Sequence, residues 1–206
     1  MKKTILILAV VATAITMNSF TPPAPGFSVG DKASDIKLKN VDGKMVSLAD
    51  YKEAKGFIVV FTCNHCPFAK AYEQRIIDLQ NKYASKDFPV IAINPNDKSV
   101  EPEDSYENMA SRAKEKNYPF PYLYDETQEY ARAYGASRTP HVFVLSKKAS
   151  DLKVEYIGAI DDNTDDPLAV KTKYVENAVD ELLAGKKVSA NFTKAIGCSI
   201  KWKKTE

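Results

Sequence analysis

The 206-residue chain lacks a charge imbalance, since 29 Lys and Arg residues against 27 Asp and Glu leave a formal net charge of +2. Its lysines are spread along the sequence, whereas nucleic-acid-binding domains usually carry a clustered basic face. It also lacks internal repeats and low-complexity tracts, and 44% of its residues are hydrophobic. These features argue against a repeat protein and against a chain disordered throughout. They give no reason to expect nucleic acid as a partner.

Cofactor motifs are missing as well. The chain has no glycine-rich phosphate loop, no dinucleotide-binding fingerprint and no Ser–His–Asp constellation. An acidic stretch, Asp161-Asp162-Asn163 with Asp165-Asp166, lacks the ligand spacing and the closing glutamate of an EF-hand. We interpret it as a solvated turn. The sequence therefore predicts neither an organic cofactor nor a resident metal.

Cysteine is scarce, and its number is odd. The three cysteines are Cys63, Cys66 and Cys198. An odd count leaves one thiol free or only transiently paired in an oxidising compartment. This favours redox exchange over a static disulfide framework.

The N-terminus has the pattern of a secretory signal. Met1-Lys2-Lys3 is positively charged, and the apolar run from Thr4 to Ile15 is too short for a comfortable bilayer span. We predict a signal peptide at residues 1–20, a Pro-rich linker at 21–27 and one domain at 28–206. The sequence does not assign the position of cleavage. Export, for example to a bacterial periplasm, would bring the domain to an oxidising compartment without a stable membrane anchor.

Strand and helix patterns alternate along the domain. Val41-Asp42-Gly43-Lys44 predicts the turn of a β-hairpin. The apolar run from Phe57 to Phe61 predicts a strand buried on both faces. A helix is expected from Pro67, because proline suits the first helical turn, and its apolar stripe is predicted to consist of Ala71, Ile76, Leu79 and Tyr83. Asn94-Pro95-Asn96-Asp97 predicts a turn, Glu101 to Lys116 a polar helix, and Leu168 to Leu183 an amphipathic helix. The order predicts an α/β domain with helices on both faces of a sheet.

The most informative motif lies between that buried strand and its helix: Phe61-Thr62-Cys63-Asn64-His65-Cys66-Pro67. Thiols at positions i and i+3 can close a small disulfide ring. A thiol in the first turn of a helix gains thiolate character from free N–H groups and the helix dipole. Because the thiolate is the nucleophile in sulfur chemistry, we predict that Cys63 and Cys66 form a redox-active dithiol–disulfide pair.

This order of elements, with a CxxC motif after the first buried strand, resembles the thioredoxin fold. Arg138-Thr139-Pro140-His141 precedes a strand, as the cis-proline loop of thioredoxin-like proteins does. The resemblance implies a central mixed sheet with helices on both faces and an N-terminal β-hairpin extension. It also implies a cis bond before Pro140 and a Thr139–Pro140 loop that docks the substrate backbone.

The chain more closely resembles exported redoxins of the alkyl hydroperoxide reductase/thiol-specific antioxidant group, particularly its peroxiredoxin-like proteins with a CxxC motif. The likeness covers about residues 28 to 203 and is carried by Gly30-Asp31-Lys32-Ala33, the CxxC motif, Thr139-Pro140 and the closing Gly197-Cys198-Ser199-Ile200-Lys201-Trp202-Lys203. It implies a redox enzyme with thiol–disulfide oxidoreductase or antioxidant activity.

The attacking cysteine depends on how the motif is aligned. As a plain thioredoxin motif, Cys63 would attack and Cys66 would resolve the intermediate. Aligning Phe61 with the phenylalanine that precedes the cysteines of exported reductases instead places Cys66-Pro67 on their first Cys-Pro. Pro67 also fits an early helical position, so that Cys66 lies near the N-cap, where N–H groups best stabilise a thiolate. We therefore favour Cys66 as the low-pKa nucleophile.

The same alignment leaves a peroxidase site incomplete. Peroxiredoxins carry a threonine three residues before their peroxidatic cysteine. With Cys66 as that cysteine, this chain has Cys63 at the threonine position, and its Thr62 lies one residue further upstream. Arg138 is a candidate for the peroxide-site arginine, with a solvated loop charge as the alternative. We therefore expect exchange with protein or small-molecule disulfides and thiols. An unidentified donor would supply the electrons. A peroxidase that uses Cys66 on a hydroperoxide, with Cys63 condensing, is the alternative.

Two further side chains have candidate roles. A protonated His65 beside Cys66 would favour the thiolate and make the disulfide a better oxidant, and an exposed loop histidine is the alternative. Cys198 is either a third, resolving thiol or a buried structural cysteine. Because Cys63 already lies close to Cys66 in sequence, burial is the preferred interpretation.

A weaker alternative belongs to another class, a copper-binding thioredoxin-fold module. Cys63 and Cys66 with a histidine are ligands that suit copper. His141 follows the proline loop that should face the two cysteines, so it is the histidine this hypothesis needs.

Overall fold

The computed structural model of the protein describes residues 26–204. The predicted signal peptide, residues 1–20, and most of the predicted linker, residues 21–27, lie outside the described residues. Both therefore remain predictions. Within the part that is described, no helix is long and apolar enough to cross a membrane.

Strands and helices alternate through residues 26–204. The strands are β1 (Lys32–Ala33), β2 (Lys37–Asn40), β3 (Met45–Ser47), β4 (Gly56–Phe61), β5 (Val90–Asn94), β6 (Tyr122–Tyr124), β7 (Arg138–Thr139), β8 (His141–Lys148), β9 (Asp151–Gly158) and β10 (Cys198–Ser199). The α-helices are α1 (Pro67–Tyr83), α2 (Tyr106–Glu115), α3 (Glu129–Tyr134) and α4 (Tyr174–Leu183). Short 3₁₀ turns occupy Leu48–Asp50, Ala84–Lys86, Pro102–Asp104 and Pro167–Ala169.

The described strands build one eight-stranded mixed sheet in the order β1-β9-β8-β4-β5-β6-β2-β3. Strands β4, β5 and β6 are parallel, while β8 is antiparallel to β4 and the β2–β3 hairpin adds to β6 at the edge. A separate two-stranded ladder joins β7 to β10. The chain thus has the thioredoxin-like mixed sheet with an N-terminal hairpin extension, and the predicted fold class is confirmed.

Strand β4 is the centre of the core because both of its faces are covered. Ile58 and Val60 point to the side packed by α1, α2 and α4. Phe57, Val59 and Phe61 point to the other side, with α3 and the N-terminal residues. All five side chains are fully buried, as the continuous apolar run predicts for a central strand.

Two helix predictions differ from the structure. The apolar stripe of α1 does not include Ala71, which is exposed. The buried face instead follows i, i+3, i+4 spacing and consists of Ala69, Tyr72, Ile76, Leu79 and Tyr83. The last helix begins at Tyr174 and not at Leu168. Leu168 lies in a separate 3₁₀ turn, where its N–H donates to the Asp166 carboxylate at 2.8 Å.

The sheet order brings three connections to one edge. Parallel strands end at the same edge, so the loops after Phe61 in β4 and Asn94 in β5 are neighbours. Strand β8 runs the opposite way and begins at this edge, because His141 pairs with Phe61. The Thr139–Pro140 segment before β8 therefore meets the cysteine loop after β4.

We expect Phe57→Ala to lower the free energy of unfolding by about 3–5 kcal/mol, the usual loss when a buried phenylalanine leaves a cavity. Phe57 is fully buried and packs edge-on against Tyr51. Leu168→Ala is the control, because Leu168 is 96% exposed, and it should change stability by less than about 0.5 kcal/mol. Urea unfolding measures both variants. Equal losses in the two would contradict this description of the core.

Candidate active site

Cys66 is the N-cap residue of α1. Its backbone is extended, with φ −66° and ψ 126°, and Pro67 takes the first helical position. No side chain caps the helix here, and the Cys66 carbonyl accepts from Lys70 N at 3.0 Å. The first N–H groups of a helix have no partners within it. A thiolate at Cys66 would therefore be stabilised by these groups and by the helix dipole.

In the structure Cys66 forms a disulfide with Cys198, with the two Cα atoms 6.0 Å apart, while Cys63 is a free, buried thiol. The predicted pair was Cys63 with Cys66, and Cys198 was expected to be merely buried. The difference arises because β10 pairs with β7, with Cys198 directly opposite Thr139. The structure thus brings all three cysteines together, and a Cys63–Cys66 disulfide remains a prediction for another redox state.

Thr139 is the residue that both sulfur atoms of the CxxC motif contact. The Cys63 Sγ lies 3.1 Å from the Thr139 hydroxyl, and the Cys66 Sγ lies 3.2 Å from the Thr139 carbonyl oxygen. The second contact becomes a hydrogen bond when reduction leaves a proton on Cys66. The Thr139–Pro140 bond is cis, as the resemblance implied. The predicted proline loop therefore does face the cysteines.

Cys63 is a poor nucleophile in this setting. Its side chain is buried, and burial together with the nearby Asp104 carboxylate raises the pKa of Cys63 to about 12. At neutral pH the group is therefore a thiol and not a thiolate. This supports Cys66 as the attacking residue and leaves Cys63 to act in a later step.

Asp104 holds the loop between Cys63 and Cys66 in place through hydrogen bonds. Its buried carboxylate accepts from Asn64 N at 2.6 Å, Asn94 Nδ2 at 3.2 Å and Asn96 Nδ2 at 2.7 Å. His65 Nδ1 lies 2.6 Å from Oδ2, the same oxygen that accepts from Asn96. A carboxylate oxygen accepts hydrogen bonds, so this contact is made by the His65 tautomer that carries its hydrogen on Nδ1. This pair fixes the orientation of the imidazole ring beside the cysteines.

Asn64, the first residue between the two cysteines, is also held on both sides. Its side-chain oxygen accepts from the Tyr122 hydroxyl at 3.0 Å, and its Nδ2 donates to the Glu103 carbonyl at 2.9 Å. Burial raises the pKa of Tyr122 well above its ordinary value, so its hydroxyl remains a donor. The loop that carries Cys63 and Cys66 is therefore rigidly attached to β6 and to the 3₁₀ turn before α2.

Sequence reasoning missed Asp104, Asn94, Asn96 and Tyr122. The polar stretch from Glu101 to Lys116 predicts one helix, but the structure has a 3₁₀ turn that ends at Asp104 and a helix that begins at Tyr106. Asn94 and Asn96 have only the pattern of turn residues in the sequence. A usable signal existed, because polar residues that follow two neighbouring parallel strands meet at one sheet edge. Asn94 ends β5 in this way, next to the motif that follows β4.

Arg138 is the exposed residue of β7, next to Thr139. Side chains alternate along a strand, so Arg138 faces away from the side on which Thr139 contacts Cys63. It is exposed and lines a surface cavity of about 350 Å³ together with His141 and Phe143. The predicted role as a peroxide-site arginine therefore has no geometric support.

The histidine expected for copper binding is also elsewhere. Burial lowers the pKa of His141 to about 4, and its Nδ1 accepts from Ser137 N at 3.3 Å. Within residues 26–204, one group of three ligand-type side chains lies close together, namely Cys63, His65 and Asp104, with ligand atoms within 4.8 Å of one another. Asp104 is already committed to four hydrogen bonds, so this set does not fit a copper site.

Comparison with known proteins gives a family match and structural neighbours. The sequence model of the AhpC/TSA family matches residues 29–157. The thiol-disulfide oxidoreductase ResA of Geobacillus thermodenitrificans is 26% identical over 150 residues, which are 73% of this chain and 81% of ResA.

Two solved structures are informative. An uncharacterized conserved protein from Geobacillus kaustophilus is 43% identical, with a TM-score of 0.80 over 87% of this chain and 95% of that one. The peroxidoxin BcpB of Mycobacterium tuberculosis is 17% identical, with a TM-score of 0.52 over 76% of this chain and 94% of that one. The second likeness is one of fold alone.

The order in which the cysteines react with iodoacetamide tests this site. In the fully reduced protein at pH 6–8, we expect Cys66 to be alkylated before Cys63. The reason is that the raised pKa of Cys63, about 12, leaves almost no thiolate in this range. Peptide mass spectrometry of timed samples measures the order. Urea-unfolded protein is the control, in which the difference should vanish; faster labelling of Cys63 in the folded protein would contradict the assignment.

Proposed function

This chain belongs to the AhpC/TSA family, and from that membership we propose that it is an extracytoplasmic thiol–disulfide oxidoreductase. The observation that carries the proposal is the position of Cys66. It lies at the N-cap of α1 and is bonded to Cys198, and the buried thiol of Cys63 lies three residues before it in the chain. Dithiol exchange needs an activated thiolate and a second thiol that can displace its partner, and this arrangement supplies both.

The exchange proceeds in two displacements. The Cys66 thiolate attacks one sulfur of a substrate disulfide, forms a bond to it and expels the other sulfur, which takes up a proton. Cys63 then loses its proton and attacks Cys66, which releases the substrate thiolate and leaves the Cys63–Cys66 disulfide. The substrate disulfide is reduced by two electrons, and the protein dithiol is oxidised by two. An external thiol donor then restores the dithiol.

His65 and Asp104 assist in this scheme through charge and position. Asp104 holds the His65 ring, with its carboxylate 2.6 Å from Nδ1, in the loop that ends at Cys66. A positive imidazolium beside Cys66 favours the thiolate and hence the reduced protein, which makes the disulfide a better oxidant. Replacing His65 with alanine should therefore make the couple more reducing; an unchanged reduction potential would remove His65 from the mechanism.

The substrates are protein or small-molecule disulfides, docked along Thr139 and Pro140. ResA, the relative that matches 73% of this chain, is named a thiol-disulfide oxidoreductase, which supports this reaction class. The thiol peroxidase alternative has less support. The position three residues before Cys66 is Cys63 in place of threonine, and Arg138 faces away from the sulfur atoms.

Insulin reduction with dithiothreitol as the electron donor tests the reaction. We expect the protein to accelerate the precipitation of reduced insulin, and Cys66→Ser to lower the rate by about two orders of magnitude or more, since it removes the nucleophile. Cys63→Ser is the matched control. It keeps the first displacement but not the resolution by Cys63, so more enzyme–substrate mixed disulfide should accumulate and be visible by mass spectrometry.

Hydrogen peroxide consumption, measured on the same samples, separates the alternatives. Fast, thiol-dependent loss of peroxide without insulin reduction would replace the oxidoreductase with the peroxidase. Full insulin reductase activity in Cys66→Ser would contradict the assigned nucleophile. Slow peroxide loss with Cys66-dependent insulin reduction is the expected result.

Export rests on the sequence of residues 1–20, with its positive start and short apolar run. We expect the protein, expressed in a bacterium, to appear in an extracytoplasmic fraction with a new N-terminus near residue 20. Intact-mass measurement of the fractionated protein checks this. A chain that retains Met1 and remains in the cytosol would contradict the proposal, and Lys2 and Lys3 both changed to Glu should impair export.

A further inference from the structure

The C-terminal tail, defined here as residues 196–203, lies as an extended segment across the loop that faces the cysteines. Its strand β10 pairs antiparallel with β7, with Cys198 opposite Thr139 and Ser199 opposite Arg138. An extended peptide that adds a strand to an exposed edge gains affinity from backbone hydrogen bonds and specificity from alternate side chains. The tail is bound to its own domain in this way.

Most of the hydrogen bonds to the tail are made with its backbone atoms. Lys201 N donates to Asn96 Oδ1 at 2.8 Å, and the Lys201 carbonyl accepts from Asp97 N at 2.9 Å and from Gln128 Nε2 at 2.8 Å. Lys203 N donates to Gln128 Oε1 at 2.8 Å. Asn96 and Gln128 are both almost fully buried. Because buried amides are costly to leave unpaired, this site requires a peptide backbone, although not one particular sequence.

Two tail positions do select a side chain. At Gly197 a Cβ atom would lie 2.3 Å from the Thr139 carbonyl oxygen, a distance that only a shift of the backbone could relieve. Ile200 is buried in the apolar cluster on the α3 side of the sheet, while Ser199 between them is exposed. The bound pattern is therefore glycine, then the reacting cysteine, then any residue, then an aliphatic residue.

We propose that the tail is a built-in substrate, and that its site binds extended peptides with a glycine before the reacting cysteine and an aliphatic residue two positions after it. The inference rests on the proposed function and names the substrate class of that same site. The Cys66–Cys198 disulfide has the place that the bond between Cys66 and an external substrate cysteine would have. An incoming peptide must displace the tail to react.

The covalent step corresponds to the second displacement of the exchange, with Cys198 of the tail in the place of the substrate cysteine. Cys63, once deprotonated, attacks Cys66, forms the Cys63–Cys66 bond and releases Cys198 as a thiolate, with no net change in oxidation state. A reducing thiol then opens Cys63–Cys66 and frees Cys66. An external peptide disulfide is attacked by the Cys66 thiolate, and its second sulfur leaves and takes up a proton.

A trapping experiment in the full chain tests the proposal. The Cys63→Ser/Cys198→Ser protein retains Cys66 as its one cysteine. The probe is the peptide Ala-Ile-Gly-Cys-Ser-Ile-Lys-Trp-Lys, the sequence of residues 195–203, activated at its cysteine as a disulfide with thionitrobenzoate. Attack by Cys66 releases the yellow thionitrobenzoate, whose absorbance gives the rate. Matched peptides carry alanine in place of the glycine or asparagine in place of the second isoleucine.

We expect the unchanged peptide to react roughly tenfold or more faster than either altered peptide, because each change removes one selective contact. Adding Gly197→Ala to the protein should raise the rate with the unchanged peptide, since it displaces the competing tail. Gly43→Ala is the control for backbone strain, because the φ of +87° at Gly43 disfavours a side chain although a Cβ there meets nothing within 4 Å. It lies in the β2–β3 hairpin turn and should leave the rate unchanged.

Equal rates for the three peptides would overturn the proposal, whether or not the Gly197→Ala protein folds. A tail that is only structural would also make Gly197→Ala slower or without effect. A small disulfide, oxidised glutathione, separates this failure from failure of the proposed function. Reaction of Cys66 with glutathione disulfide but no discrimination among peptides would refute the substrate class alone. No reaction with any disulfide would refute the proposed function itself, and the inference with it.

Discussion

Strands β4 and β8 pair antiparallel over six residue pairs, from Gly56 opposite Ser146 to Phe61 opposite His141. This register places the end of one strand beside the start of the other. The cysteine loop therefore leaves the sheet where the Thr139–Pro140 segment enters it. Because both strands lie in the middle of the sheet, with apolar side chains buried on each face, the two segments have little freedom to separate.

The buried Asp104 carboxylate contributes to the difference in thiolate character between the two cysteines of the motif. Burial raises the pKa of Cys63, and the Asp104 carboxylate, surrounded by donors, raises it further while it orients the ring of His65, the residue before Cys66. The helix terminus acts in the opposite direction at Cys66, where unpaired N–H groups favour negative charge. Two thiols three residues apart thus have different chemistry, because one faces a carboxylate and the other faces a helix N-terminus.

Local features of the site could be predicted from sequence, and long-range ones could not. The apolar run through Val59 predicted a doubly buried strand, and Pro67 placed Cys66 at the helix start, because both depend on neighbouring residues only. The Cys198 contact joins positions 132 residues apart through a strand of two residues, which is too short to leave a periodic pattern. Asp104 was hidden for a related reason, since an acidic residue in a polar segment gives no sign of burial.

The enclosure of Cys66 has a kinetic consequence. Its side chain has no exposed surface while the tail is in place, so a bulky disulfide cannot collide with the sulfur directly. When opening of the tail is slower than the chemistry that follows, raising the substrate concentration no longer raises the turnover rate. The maximum rate is then the same for every bulky substrate, because it is set by a motion of the protein and not by the leaving group.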